Sequence, residues 1–406
     1  MPAPVRSAAA ILVLAACGAV ATAQDRPGDL RSDPAWVRSR YGGWGGPGVQ
    51  PEAGPMDGVA VKDYAPQPSL VLPETAIERA RFPVIDVHAH VLADTPDEVA
   101  DWVRTMDAVG VETTVILTRA VGADFDRLAE LYLRSHPGRF ILFCGLDVRD
   151  IDAADYPRRA VDELVRCHAI GARGVGELTD KGVGLTRDSG LAPAQRLHPD
   201  DPRLAAFWDK CGELRMPVNI HVADHPSAWK PLDVYQERTP DFQGFNLHGK
   251  NVASWDDLIT RRDRMLARHR GTVFIACHLG NQGHDLAALD AALEAHPNLY
   301  VDISARDYEI GRTPRSSARF LARRRDRVLF GTDMTREAGM YRAWWRLLES
   351  ADEYMPGRVL WRYYGLDLPD PVLESLYRGT AVRILGLASD GRPAATRRLE
   401  QAPDTP

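Results

Sequence analysis

The chain alternates short apolar runs with longer amphipathic stretches. The runs fall at 84–87, 113–117, 140–145, 173–176, 218–220, 273–277, 299–301 and 328–330, and most are rich in Val, Ile, Leu or Phe. Continuous apolar runs of this length are how strands of a buried parallel sheet read. Helical patterns occupy the gaps, at 96–109, 123–134, 160–169, 204–214, 256–268, 285–295 and 317–324, and 371–385 follows the last strand. Eight strand–helix units over residues 82–388 predict the α/β class and a (β/α)₈ TIM barrel. A doubly wound open sheet is the alternative, and it would hold a ligand at a single switch point.

The flanks carry a different pattern. Residues 24–81 are rich in Gly and Pro, as in Tyr41-Gly42-Gly43-Trp44-Gly45-Gly46-Pro47, and read as an extended arm. Residues 389–406 are polar and Pro-bearing and read as a disordered tail. Residues 1–23 have a charged start at Arg6, a short apolar middle and the small-residue exit Ala21-Thr22-Ala23, the layout of a secretory signal peptide. Leu14-Ala15-Ala16-Cys17 offers a second route, a lipoprotein box in which Cys17 is acylated. Either route leads to export, with the mature chain periplasmic or lipid-anchored in a bacterial envelope. No later run reaches the apolar length of a membrane span.

Composition adds exclusions. With 406 residues, 45% hydrophobic and 26% charged, the chain excludes collagen-like and wholly disordered readings. A net charge of −6 leaves no electrostatic footprint for nucleic acid, so the expected partner is a small-molecule substrate, and a homo-oligomer is compatible. Four cysteines besides Cys17, at 144, 167, 211 and 277, show no CxxC spacing and read as small buried hydrophobes.

Chemistry gathers at the strand ends. In such a barrel the carboxyl ends of the strands carry the active site. Those ends read Asp86-Val87-His88-Ala89-His90, Gly176-Glu177, Asn219-Ile220-His221, Cys277-His278 and Gly331-Thr332-Asp333. The period of two in His-x-His points both rings to one side of an extended strand. Neutral imidazole and carboxylate are ligands for Zn²⁺ and similar divalent ions. Each residue alone reads as an ordinary core group, and Glu177 reads equally as a partner for Arg173 or a neighbouring arginine. Together they predict a metal site, because burying several such groups without a cation would cost several kcal/mol. Asp86 is expected to fix the strand-one turn or orient a ligand. The loops at 178–201 and 222–252 are long enough to carry substrate contacts, among them His225 and Trp229. Arg306, after the seventh strand, is a candidate for a substrate carboxylate, with a salt bridge to Asp302 or Glu309 as its structural alternative.

These residues resemble the amidohydrolase superfamily, and within it the amidohydrolase-related branch that includes aminocarboxymuconate-semialdehyde decarboxylase. The matching pieces are Ile85 to His90, Pro217 to His221, Ala276-Cys277-His278-Leu279-Gly280, Leu329 to Asp333 and a carboxy-terminal piece from Val372 to Leu387. The resemblance implies His88, His90 and His221 as metal ligands, Asp333 as the ligand that also handles the proton, and His278 as the group that polarises substrate or holds water. Glu177 departs from the decarboxylases, which generally lack a carboxylate there. It is similar to the TatD-type hydrolases, where a glutamate bridges two ions with His221 and His278 on the second. One or two ions, zinc first, are therefore expected. The reading that follows is an exported metal-dependent hydrolase with Asp333 and His278 catalytic. A metal-dependent carboxy-lyase is the runner-up, and a non-catalytic metal- or ligand-binding barrel the third.

Overall fold

A computed structural model describes residues 58–60, 63, 64, 67–233, 236–242, 244–357 and 359–387. The chain divides into two compact units, Met1–Pro68 and Ser69–Pro406. In the first, the described part includes a turn in which Asp63 N donates to Ala60 O at 2.9 Å. The expected signal segment, the Cys17 box, most of the Gly/Pro-rich arm and the tail lie outside the described residues.

The second unit is built on eight strands, β1 (Val84–Ala89), β2 (Val111–Leu117), β3 (Phe140–Cys144), β4 (Gly174–Asp180), β5 (Val218–Val222), β6 (Phe274–Ala276), β7 (Leu299–Asp302) and β8 (Val328–Leu329). They pair in sequence order, every pair parallel. The ring is brought round by Val87 N donating to Phe330 O at 3.0 Å and Asp333 N donating to His88 O at 2.8 Å. This is the (β/α)₈ barrel that the alternation predicts, and the open doubly wound sheet is excluded by the strand order.

Helices α1 (Pro96–Val109), α2 (Gly122–Ala129), α3 (Tyr156–Ile170), α4 (Ala205–Glu213), α5 (Trp255–Arg268), α6 (Leu286–Ala295) and α7 (Pro314–Arg323) connect successive strands. The first of them shows how the sequence sets its limits. Thr95 and Glu98 form a reciprocal capping box, and Gly110, at φ 94°, takes the left-handed position that ends the helix. Val99, Trp102, Met106 and Val109 form its buried stripe.

A further helix, α8 (Ala338–Glu349), follows β8 and is absent from the helical pattern read above. It lies over the junction of β8 and β1. Trp345 packs tilted against Phe330 at 5.2 Å and edge-on to Tyr377 at 5.3 Å between ring centroids, and its indole N–H donates to Val109 O at 3.1 Å. The helical run Asp370–Leu385 closes the barrel, where Ala381 and Leu385 pack with Ile85, Ile141, Phe143, Ile275 and Leu329. Residues before β1 are tied to this unit as well: Thr75 bonds Asp352 through its N–H at 2.8 Å and its hydroxyl at 2.6 Å. Among the described residues no helix is long and apolar enough to cross a membrane.

Candidate metal centre

The strand ends bring all six expected ligands together. His88 Nε2 lies 3.6 Å from Asp333 Oδ1, and His90 Nε2 lies 3.2 Å from the same oxygen. His278 Nε2 is 3.7 Å from both Asp333 Oδ2 and Glu177 Oε1. His221 Nδ1 meets Glu177 Oε1 at 2.6 Å. Among the described residues three sets of donor atoms fall within 4.8 Å of one another, Glu177–His221–Cys277–His278, His88–His90–Glu177 and His88–His278–Asp302. His90 and Asp333, with side chains 29% and 26% exposed, mark the open side, while His88, His221, His278 and Glu177 are buried.

Each imidazole is held by its Nδ1. His90 Nδ1 donates to Leu117 O at 3.1 Å and His278 Nδ1 to Ser304 O at 2.9 Å; a carbonyl only accepts, so the proton sits on Nδ1. His88 Nδ1 faces Asp302 Oδ2 at 3.0 Å, and His221 Nδ1 faces Glu177. All four Nε2 atoms are thereby left with a lone pair, the tautomer a metal ligand requires. Those of His88 and His221 are buried without a hydrogen-bond partner. Buried polar atoms are rarely left so, and a cation among them would satisfy both. The residues present fit a divalent metal.

Electrostatics agree. Burial pushes the His278 imidazole down to about 3, helped by the charges of Arg306 and His88, and burial likewise holds His221 well below its usual range. Both rings are therefore neutral at physiological pH. For His88, burial works against the charged form, but Asp302 and Asp333 outweigh it and raise the ring above its usual range. The acids that draw a proton to this ring would equally draw a cation. Burial also opposes ionisation of Asp333, yet the neighbouring His90, His88 and His278 hold its carboxyl well below the usual carboxylate range.

A second ring of groups fixes the first. Asp302, at the end of β7, takes His88 Nδ1, the backbone N–H of His278 at 2.9 Å and the hydroxyl of Ser304 at 2.5 Å. Sequence reading gave Asp302 only as a partner for Arg306; its place at a strand end is the signal that would have found it. Asp86 behaves as expected, accepting from His88 N at 3.1 Å, Thr332 N at 3.0 Å, Thr332 Oγ1 at 2.7 Å and Tyr341 Oη at 3.2 Å. Burial raises its carboxyl to about 6. Cys277 is buried like the other three cysteines, but its thiol also donates to Glu177 Oε1 at 3.6 Å.

The three expected substrate residues stand further out. Arg306 is buried, bonds Asn281 Oδ1 and lies 3.8 Å from Asp224 and 3.6 Å from Glu309; its Nε has no hydrogen-bond partner. His225 accepts from Ser227 N at 3.2 Å, and its ring stacks on Phe242 and meets His284 edge-on. The Trp229 indole donates to Ala253 O at 2.9 Å. The arginine beside Glu177 is Arg119, two residues after β2, whereas Arg173 donates to Ala172 O.

Residues 85–387 match the family described as Amidohydrolase. The chain belongs to the amidohydrolase family. The match spans the barrel from β1 to the closing helical run and contains every residue of the centre. No curated protein matches this amidohydrolase. Among solved structures, 2,6-dihydroxybenzoate decarboxylase from Rhizobium is 18% identical over 75% of this chain and 99% of its own, at a TM-score of 0.46. The 5-carboxyvanillate decarboxylase from Novosphingobium aromaticivorans, complexed with manganese, is 13% identical over 77% and 99%, at 0.46. An amidohydrolase from Burkholderia multivorans with bound HEPES is 15% identical over 75% and 100%, at 0.44.

Proposed function

We propose that this amidohydrolase is an exported metal-dependent hydrolase of small esters, lactones, amides or similar bonds. His88, His90, His221 and Asp333 hold the ion, zinc first, and His278 faces the substrate. A bound divalent ion supplies Lewis acidity and makes hydroxide available near neutral pH. The observation that carries the reading is the position of Asp333. It is the partly exposed carboxylate of the cluster, within 3.2 Å of His90 and 3.7 Å of His278. A carboxylate so placed takes a proton from water and returns it to a leaving group. His278, kept neutral by burial, presents its Nε2 lone pair toward the same space and accepts a hydrogen bond from the attacking water. Arg306 stands beyond His221 and Asp224, where it orients an anionic part of the substrate, with His225 and Trp229 shaping the loop beside it. Export to the periplasm, free or anchored at Cys17, belongs to the same proposal.

A carboxy-lyase acting on an unsaturated or aromatic acid is the second reading. One observation favours it: Glu177, the residue that sets this sequence apart from the decarboxylases it resembles, is bonded to His221 and Arg119. The two readings separate by product. Turnover of a panel of small esters, lactones, amides and aromatic acids in ¹⁸O-labelled water is expected to place label in the product and release no CO₂. Release of CO₂ without label would select the lyase. A metal-loaded chain inert on the whole panel would point to a binding barrel.

A further inference from the structure

Glu177 is a buried carboxylate, and both of its oxygens are already engaged. Oε1 takes the Nδ1 proton of His221 at 2.6 Å and the thiol of Cys277 at 3.6 Å. Oε2 takes Nη2 of Arg119, and His90 Nε2 lies 3.6 Å from the same oxygen. A second metal ion bridged by Glu177 would have to sit beside Oε2, where the guanidinium nitrogen lies.

The backbone holds Arg119 in that place. Its N–H donates to Gly176 O at 3.2 Å, the residue immediately before Glu177, and its φ of 56° lies in the left-handed region. Gly145 fits beneath it, since a Cβ there would stand 2.2 Å from Arg119 O. Ala120 N caps on Thr118 Oγ1 at 3.1 Å, and that hydroxyl donates to Phe143 O at 2.7 Å, so the turn on both sides is tied to β3. The result is a turn that places Arg119, its side chain 41% exposed, against a carboxylate of which the side chain is only 2% exposed. Buried carboxylates need such a countercharge. A guanidinium, always protonated and planar, supplies it without leaving a ligand position open.

From this juxtaposition we infer that Arg119 is the built-in second cation of the centre: it neutralises Glu177, keeps that carboxylate on His221 rather than on a metal, and limits the site to a single ion. Arg119 is thus a positioning residue, acting through Glu177 on the orientation of His221. The inference rests on the metal reading above and refines it.

Metal counting tests it. Purified protein is saturated with Mn²⁺, dialysed and assayed by elemental analysis, with the Mn²⁺ electron spin resonance spectrum recorded in parallel. Wild type is expected to hold one ion per chain, with the spectrum of an isolated ion. Arg119→Gln, close in size but neutral, is expected to take up a second equivalent and show a spin-coupled pair; Arg119→Lys, which keeps the charge, is expected to stay at one. Adding Glu177→Gln to Arg119→Gln is expected to return the count to one. Two ions in wild type would overturn the inference, as would a folded Arg119→Gln that stays at one. A count of zero in wild type would instead overturn the metal reading itself. Should Arg119→Gln fail to fold, the wild-type count together with Arg119→Lys still decides, because two ions in either contradict a cation-filled second position.

Discussion

At the scale of single residues, the centre works through the far nitrogens of its histidines. Leu117 O, Ser304 O, Asp302 and Glu177 each hold one Nδ1 and so choose the tautomer. Replacing Asp302 by Asn exchanges a pure acceptor for a group that also donates, and metal affinity is expected to fall about 10- to 100-fold with the fold retained. Competition against a coloured chelator measures it. Replacing His88 and His90 together by Ala is expected to abolish both bound metal and turnover, by elemental analysis and assay of the same preparation. Full activity in a metal-free double variant would end the metal reading. His88, His90, Glu177, His221, His278 and Asp333 were legible in the sequence because each terminates or follows an apolar run, and the barrel rule turns that position into a place in space. Asp302 ends β7, and Arg119 follows two residues after β2. Their partners stand on other strands, so nothing local in the chain announces what they hold.

At the scale of elements, the junction between β8 and β1 is where packing and chemistry meet. A Cβ on Gly331 would lie 2.8 Å from the Cβ of His88. Gly331→Ala is therefore expected to displace His88 and lower metal content, while the melting temperature of the metal-free protein falls by far less than in a core deletion. On the outer side, Trp345 is fully buried among Phe330, Tyr341 and Tyr377. Trp345→Ala is expected to cost about 3–5 kcal/mol, read from denaturant midpoints. The helix that carries Trp345 escaped the sequence reading for a topological reason. Alternation assigns one helix to each strand, and the helix expected after the last strand falls at 371–385, which leaves α8 without a slot. The apolar spacing of Tyr341, Trp344, Trp345 and Leu348 was present but had no assigned partner. The eight strands, by contrast, follow directly from their apolar runs, with ends shifted by a few residues where β4 and β5 continue into polar sequence.

At the scale of the whole molecule, stability is tied to ligand and to pH. Because the ion binds only the assembled strand ends, a chelator is expected to lower the melting temperature. The shift corresponds to about 2.7 kcal/mol when free metal stood near 100 times its dissociation constant. A differential scan with and without chelator checks it. Away from the centre, the Arg166 guanidinium bonds Glu163 twice, at 2.8 Å each, and together with the N–H of Gly122 and the Cys167 thiol brings its carboxyl from the usual 4.5 to about 2. A depressed folded-state value means that this contribution is complete above about pH 4.5 and lost as pH falls toward 2. The stability difference between wild type and Glu163→Gln is therefore expected to be open at about pH 6 and nearly closed near pH 2, by denaturation at each pH.

The ring's first and last strands meet through two backbone bonds and the Asp86–Thr332–Tyr341 latch, and the donor atoms straddle that seam. His88 and His90 are synthesised with β1, whereas Asp333 and the α8 side chain that fastens Asp86 follow only after the other strands. A nascent or truncated polypeptide that stops before β8 would own all four imidazoles of the centre and still have no cage. Loading with the ion consequently waits on β8 and α8, and reports that both have joined the ring.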